Sequence, residues 1–120
     1  MTTADVWCAI AVTFFITTDY VTGVAKAIMQ DNLSSKKMRE GLGHKFAYII
    51  LTLTAWFIDE VDLHIDLGLP MSIFVCTVSG ICLIELTSIL ENVTVINPKL
   101  ADAPFMQIFA QNNTQPKHGK

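Results

Sequence analysis

Several ionisable side chains stand inside apolar stretches of this chain. Asp19 ends the run AIAVTFFITT, Lys26 lies one further stretch along, and Lys45 opens FAYIILTLTAWFI. Glu85 follows about eighteen uncharged residues from Leu67 to Ile84, and Glu91 sits in the same aliphatic neighbourhood, IELTSILEN. The chemistry open to such groups is electrostatic. An ion at the centre of a membrane-spanning helix costs roughly 2.5 to 3.5 kcal/mol on insertion scales, so it normally faces another helix, water or an opposite charge.

Depth along the helices brings these groups to one level. Asp19 is about fourteen residues past Asp5, Glu85 about sixteen past Leu69, and Lys45 begins the second apolar segment from its opposite end. Asp19 and Lys26 share a helix face, with Thr22 and Gly23 between them, but lie about 10 Å apart along the axis, too far for a direct pair. The expected arrangement has Glu85 meeting Lys45 or Lys26, with Asp19 taking the other base. The alternative for both lysines is snorkelling to the headgroups.

The elements that would position these groups follow from composition. The 120 residues are 52% hydrophobic and only 16% charged, against about a quarter charged in ordinary soluble domains. The class expected is an all-α membrane protein. Three apolar segments predict three transmembrane helices at about 4–29, 44–60 and 68–92, within one unit spanning 1–100. Thr2 can cap the first, with Asp5 three residues on, and Pro70 suits the opening turn of the third. The stretch DNLSSKKMREGLGHK, with its Ser pair, Gly41 and Gly43, predicts a capped short turn of helix or a loop. Residues 101–120 predict a cytoplasmic tail, amphipathic through Phe105, Met106, Ile108 and Phe109 and then disordered.

Length alone supports a span only for the third segment, because Val6 to Thr18 and Phe46 to Ile58 hold about thirteen uncharged residues each, about 20 Å of helix. Charge placement decides in favour of three. With the N-terminus outside, all eight basic residues fall on the cytoplasmic side, together with the C-terminus, while the turn DEVDLHID carries four acids and no Lys or Arg. That is the positive-inside pattern. Trp7, Trp56 and Phe57 would mark the outer interface, Tyr20 and Tyr48 the inner one. The N-terminus lacks the basic region and cleavage site of a signal peptide, so the first segment reads as a retained anchor.

On a 3.6-residue period Glu85 shares a face with Phe74, Val78, Ile81, Ser88 and Asn92. Ser72, Cys76, Ser79 and Gly80 form a small-residue stripe nearly opposite, and Gly23 is a further close-packing position. Lys45, Thr52 and Asp59 recur by sevens on the second helix. A three-helix monomer cannot bury polar and small faces on every helix at once, which predicts a homo-oligomer; packing within one monomer is the other use of that stripe.

Other classes fit poorly. A net charge of −3 argues against nucleic acid. Cys8, Cys76 and Cys82 lack ligand or redox spacing and read as small packing residues. His44, His64 and His118 are scattered, no phosphate loop is present, and nothing marks an enzyme, metal or cofactor site.

Two blocks, DYVTGVAKAIMQDNLSSKKMREGLGHKFAYIILTLTAWFID from Asp19 to Asp59 and ELTSILENVTVINPKL from Glu85 to Leu100, resemble the bacteriophage holin family, which includes toxin-secretion holins. The matching positions are Asp19 and Gly23; Ser35, Lys36, Gly41 and Lys45; Asp59; Glu85, Ser88, Ile89, Glu91 and Asn92; and Pro98. Relatives usually place a glycine in the turn before that proline, whereas VTVINPK has none. The resemblance implies a protein of the host cytoplasmic membrane that accumulates, oligomerises and opens lesions through which an endolysin or a toxin leaves, restrained in some systems by an antiholin. It also implies a response to membrane potential, worth about 2.3 kcal/mol per charge per 100 mV. The resemblance does not say which charge responds; Asp19 and Glu85 are the candidates that the residues themselves offer. The basic stretch with Lys36, Lys37 and Arg39 would contact anionic lipid. A small ion-coupled transporter or channel subunit is the alternative that would also keep carboxylates in the membrane.

Overall fold

Thr2 starts the first helix as its spacing from Asp5 predicts. Its hydroxyl accepts from the Asp5 N–H at 3.1 Å, and the Asp5 carboxylate accepts from the Thr2 N–H at 3.3 Å, a reciprocal capping box. In the computed structural model, which describes residues 2–104, Met106 and Ile108, this helix, α1, runs over Thr3–Met29. A left-handed residue, Asp31 at φ 53°, turns the chain. Ser34 then caps the second helix by accepting from the Lys37 N–H at 3.1 Å.

That second helix, α2, covers Ser35–Ile65 and is far longer than the 44–60 expected. Gly41 and Gly43 cost about 1 kcal/mol each relative to alanine, but Lys36, Lys37, Met38, Arg39, Glu40 and Leu42 around them are strong helix formers, and Ser34 supplies the start signal. The basic stretch is therefore the opening of a helix and not a loop. Most of the acidic turn is helical too. α2 stops where Asp66 goes left-handed at φ 46°, with Asp62 Oδ1 accepting from the Leu67 N–H at 2.6 Å. Gly68, at φ 77°, takes a conformation that costs a glycine little.

The third helix, α3, spans Ile73–Ile96 and begins later than the 68 expected. Pro70 lies in the connection, and Ser72 is the cap, accepting from the Val75 N–H at 3.0 Å. Ser72 is thus outside the helix proper. The missing glycine before Pro98 has a local explanation: Asn97 is extended at φ −136°, and its side chain accepts from the Lys99 N–H at 3.3 Å to open a 3-10 turn, Pro98–Asp102. The apolar face expected beyond it includes Phe105 and Phe109, which, like the tail 110–120, lie outside the described residues.

α3 is the central element. It runs parallel to α1 and antiparallel to α2, and α1 and α2 scarcely touch. Val12 and Ile16 pack on Phe74, Val78 and Ile81, flanked by Cys8, Tyr48, Trp56 and Cys82. Trp56 is half-buried against this core and not a free interfacial anchor, whereas Trp7 is exposed. Much of the rest of the apolar surface points outward, including Phe14, Val21, Phe46, Leu53, Phe57 and Leu83. So small a core under so large an apolar exterior suits lipid and not water. α1 and α3 are each long and apolar enough to cross a membrane. Up-down-up order sends Asp5, Asp59, Glu60, Asp62 and Asp66 to one end of the bundle. Lys26, Lys36, Lys37, Arg39 and Lys99 go to the other.

A buried charge cluster as the candidate functional site

The face of α3 drawn from the 3.6-residue period is the face the bundle buries: Phe74, Val78, Ile81, Glu85 and Asn92 are all inside. Glu85 is the most enclosed large side chain among the described residues, 1% exposed. A lone carboxylate there would be prohibitive, and it is not alone. Lys45 of α2 donates to Glu85 Oε2 at 2.7 Å and, on its other side, to Asp19 Oδ2 of α1. One ammonium thus joins three helices at a single level.

Asp19 is held from a second direction. The Asn92 amide of α3 donates to Asp19 Oδ1 at 3.1 Å and to Thr22 Oγ1 at 3.0 Å. Thr22 itself donates to the Thr18 carbonyl at 2.8 Å. Gly23 lies at this crossing, where a Cβ would sit at ordinary contact distance, 3.6 Å, from the Asn92 amide nitrogen. The carboxylates and the ammonium are therefore embedded in a polar network that answers most of their hydrogen-bonding needs.

Lys26 takes no part in this cluster, contrary to the expectation that each carboxylate finds its own base. Lys45 reaches both because it enters from α2 between them, at their depth. Lys26 lies two helical turns past Asp19 and pairs with no carboxylate among the described residues. It does line a cavity of about 450 Å³ that opens between α1 and α2 and has Ser88, Glu91 and Asn92 of α3 as its floor. Asp19, Lys37 and Lys45 also line that cavity. Glu91 is exposed at its edge and Ser88 is half-buried. Lys36, Lys37 and Arg39 are exposed on the opening turns of α2, where Lys37 Nζ donates to Asn32 Oδ1 at 3.0 Å. Cations at a helix start oppose the helix dipole, so their placement serves something other than helix stability.

Of the small-residue stripe, Ser72 is used as the cap of α3, and the rest is left uncovered among the described residues. Cys76, Ser79 and Gly80 are exposed, and a Cβ at Gly80 would meet nothing within 4 Å.

Asp59 has a role that sequence reasoning missed. Its carboxylate accepts from the Ser72 hydroxyl, the Ile73 N–H at 2.9 Å and the Phe74 N–H at 3.0 Å, so that a side chain of α2 caps the start of α3. The seven-residue spacing Lys45, Thr52, Asp59 was its signal: all three face α3, with Thr52 buried between the ends.

An all-helical bundle with an apolar exterior and a buried ion cluster paired across three helices has the character of a small membrane protein. Against known protein families, residues 2–107 match the model described as the bacteriophage holin family. The chain belongs to that family and is a membrane protein. No curated protein and no solved structure matches it.

Proposed function

We propose that this chain is the holin of a phage lysis or toxin-release system. It accumulates in the host bacterial cytoplasmic membrane, crosses it three times with the N-terminus outside, assembles with further copies and opens lesions that release an endolysin or a toxin. Its partners are membrane lipids, other copies of itself and, in a regulated system, an antiholin; the endolysin is cargo that needs no direct contact.

The observation that carries this reading is the Asp19–Lys45–Glu85 cluster inside a bundle of the holin family. Charges held at membrane depth store a cost that association and water can relieve, which is what a lesion-forming protein requires. The third span gains support from the same contacts. α2 alone falls short in apolar length, but Lys45 and Asp59, which bracket its uncharged middle, both discharge into the bundle and present no bare ion to lipid. From Lys45 to Asp59 that leaves about 22 Å of helix without an unanswered charge, a mismatch that local thinning can absorb.

Expression in a bacterium together with an endolysin tests the proposal: growth should stop abruptly at a fixed time and the enzyme should escape. Glu85→Gln and Asp19→Asn should each shift that time. The cavity reaching Asp19 favours a second reading, an ion-conducting subunit. It would give ion flux with intact viability and no enzyme release.

A further inference from the structure

The charge count of the cluster does not balance. Asp19 and Glu85 bring two carboxylates and Lys45 brings one ammonium, and Asn92 and Thr22 add hydrogen bonds but no charge. With all three ionised, the centre of the bundle holds one surplus negative charge. Two carboxylates sharing a site ordinarily hold a proton between them, and that proton belongs to the pair and not to either member.

The cavity supplies a route for it. Its lining runs from Asn32, Ser34 and Lys37, at the lysine-rich end, down to Asp19 and Lys45. Glu85 is not part of that lining and lies behind the Lys45 ammonium. On the opposite side the core of Val12, Ile16, Phe74, Val78 and Ile81 separates the cluster from the acidic end. Among the described residues, the cavity thus opens the cluster toward the lysine-rich end.

We propose that the Asp19–Lys45–Glu85 cluster is a binding site for one exchangeable proton, loaded through the α1–α2 cavity from the lysine-rich end of the bundle. A hydronium ion in the cavity gives its proton to one carboxylate of the pair and leaves as water, and the proton belongs to the pair as a whole. The loaded cluster is neutral. The unloaded one carries a negative charge that the closed bundle cannot answer, so alkalinisation on that side favours opening. Other titratable groups that face the site are Tyr20 and Lys26 from α1, Lys37 from α2, and Cys82 and Glu91 from α3. Lys26, Lys37 and Glu91 lie toward the cavity mouth, where water separates them from the buried pair.

Sidedness rests on the spanning arrangement proposed above, whereas the proton site itself does not. The test uses the full chain in lipid vesicles and the infrared carbonyl band of a protonated carboxyl group. Read at pH values where the chain's other carboxyl groups are ionised, that band should fade as pH rises further, and it should be lost in Glu85→Gln and in the double variant with Asp19→Asn, with helix content unchanged by circular dichroism. A titrating band that survives both variants, or no such band in the parent chain, overturns the site. Changing the buffer on the lysine-rich face alone should move the band, and Ser88→Leu, which narrows the cavity and keeps every charge, should delay that response. An equal response from both faces, or an undelayed one in Ser88→Leu, overturns the route. Lysis scored in parallel separates the two proposals: a chain that binds the proton without lysing cells loses the holin role and keeps the site.

Discussion

The Asn92 amide of α3 donates to Asp19 Oδ1 of α1 at 3.1 Å, so the residue that fixes the carboxylate is itself buried, uncharged and on the facing helix. Substituting Asn92→Leu removes that donor and its bond to Thr22 together. The stranded carboxylate oxygen should cost about 1 to 3 kcal/mol. Thermal unfolding in detergent, followed by circular dichroism, should show a lower midpoint; an unchanged one would mean that water replaces the amide.

Lys45 is the one cation between two carboxylates. Lys45→Met leaves both unpaired, a change worth about 3 to 5 kcal/mol where a buried pair is broken. The variant should fail to accumulate in membranes. Adding Asp19→Asn and Glu85→Gln to it should restore much of the level, because the triple variant has no charge left to neutralise. Quantitative immunoblotting of membrane fractions reads the comparison.

Asp59→Ala uncovers the first backbone N–H groups of α3, leaving Ser72 as its remaining cap. A loss of about 1 to 2 kcal/mol is expected. It should be local: amide exchange should accelerate at Ile73 and Phe74 and stay slow near Glu85. Acceleration throughout α3 would show that the cap holds the whole helix in place.

Topology follows from the ends of α2. Glu40→Cys should react with an impermeant thiol reagent only from the cytoplasmic side, and Leu63→Cys only from outside, in chains whose native cysteines are replaced by alanine. Labelling of both positions from one side would remove the second crossing.

Cys76 and Gly80 lie on the α3 surface that no other helix of the monomer covers. If copies meet there, mild oxidation should produce a Cys76-linked dimer that survives loss of Cys8 and Cys82 and disappears in Cys76→Ser. Gly80→Ile should reduce it without lowering monomer stability, since a Cβ at that exposed helical position meets nothing within 4 Å among the described residues.

The sequence made the ion cluster visible because each member interrupts an apolar run, where a charge has few acceptable surroundings. It left the partner of Asp19 open between Lys26 and Lys45, since only the approach of α2 decides which ammonium arrives at that depth. The buried face of α3 was legible from one helical period, as Phe74, Val78, Ile81, Glu85 and Asn92 show. The capping role of Asp59 was not: the seven-residue spacing from Lys45 and Thr52 sets it apart from Glu60, Asp62 and Asp66 and gives its face, but only the approach of α3 shows that its carboxylate meets backbone N–H groups. The reach of α2 was hidden by Gly41 and Gly43, whose low helix propensity is a local statement overridden by the helix formers around them and by the Ser34 cap.

α2 is fastened to α3 at two places and holds α1 chiefly through one of them, the Lys45–Asp19 pair. Lys45 is one fastening and Asp59 the other, fourteen positions apart on the same stripe and chemically opposite, a cation among anions at one end and an anion among donors at the other. A helix secured like a hasp with two pins swings free only when both are drawn. Pulling either one exposes an ion to lipid and hands the strain to its counterpart, so release of α2 should be abrupt and not graded.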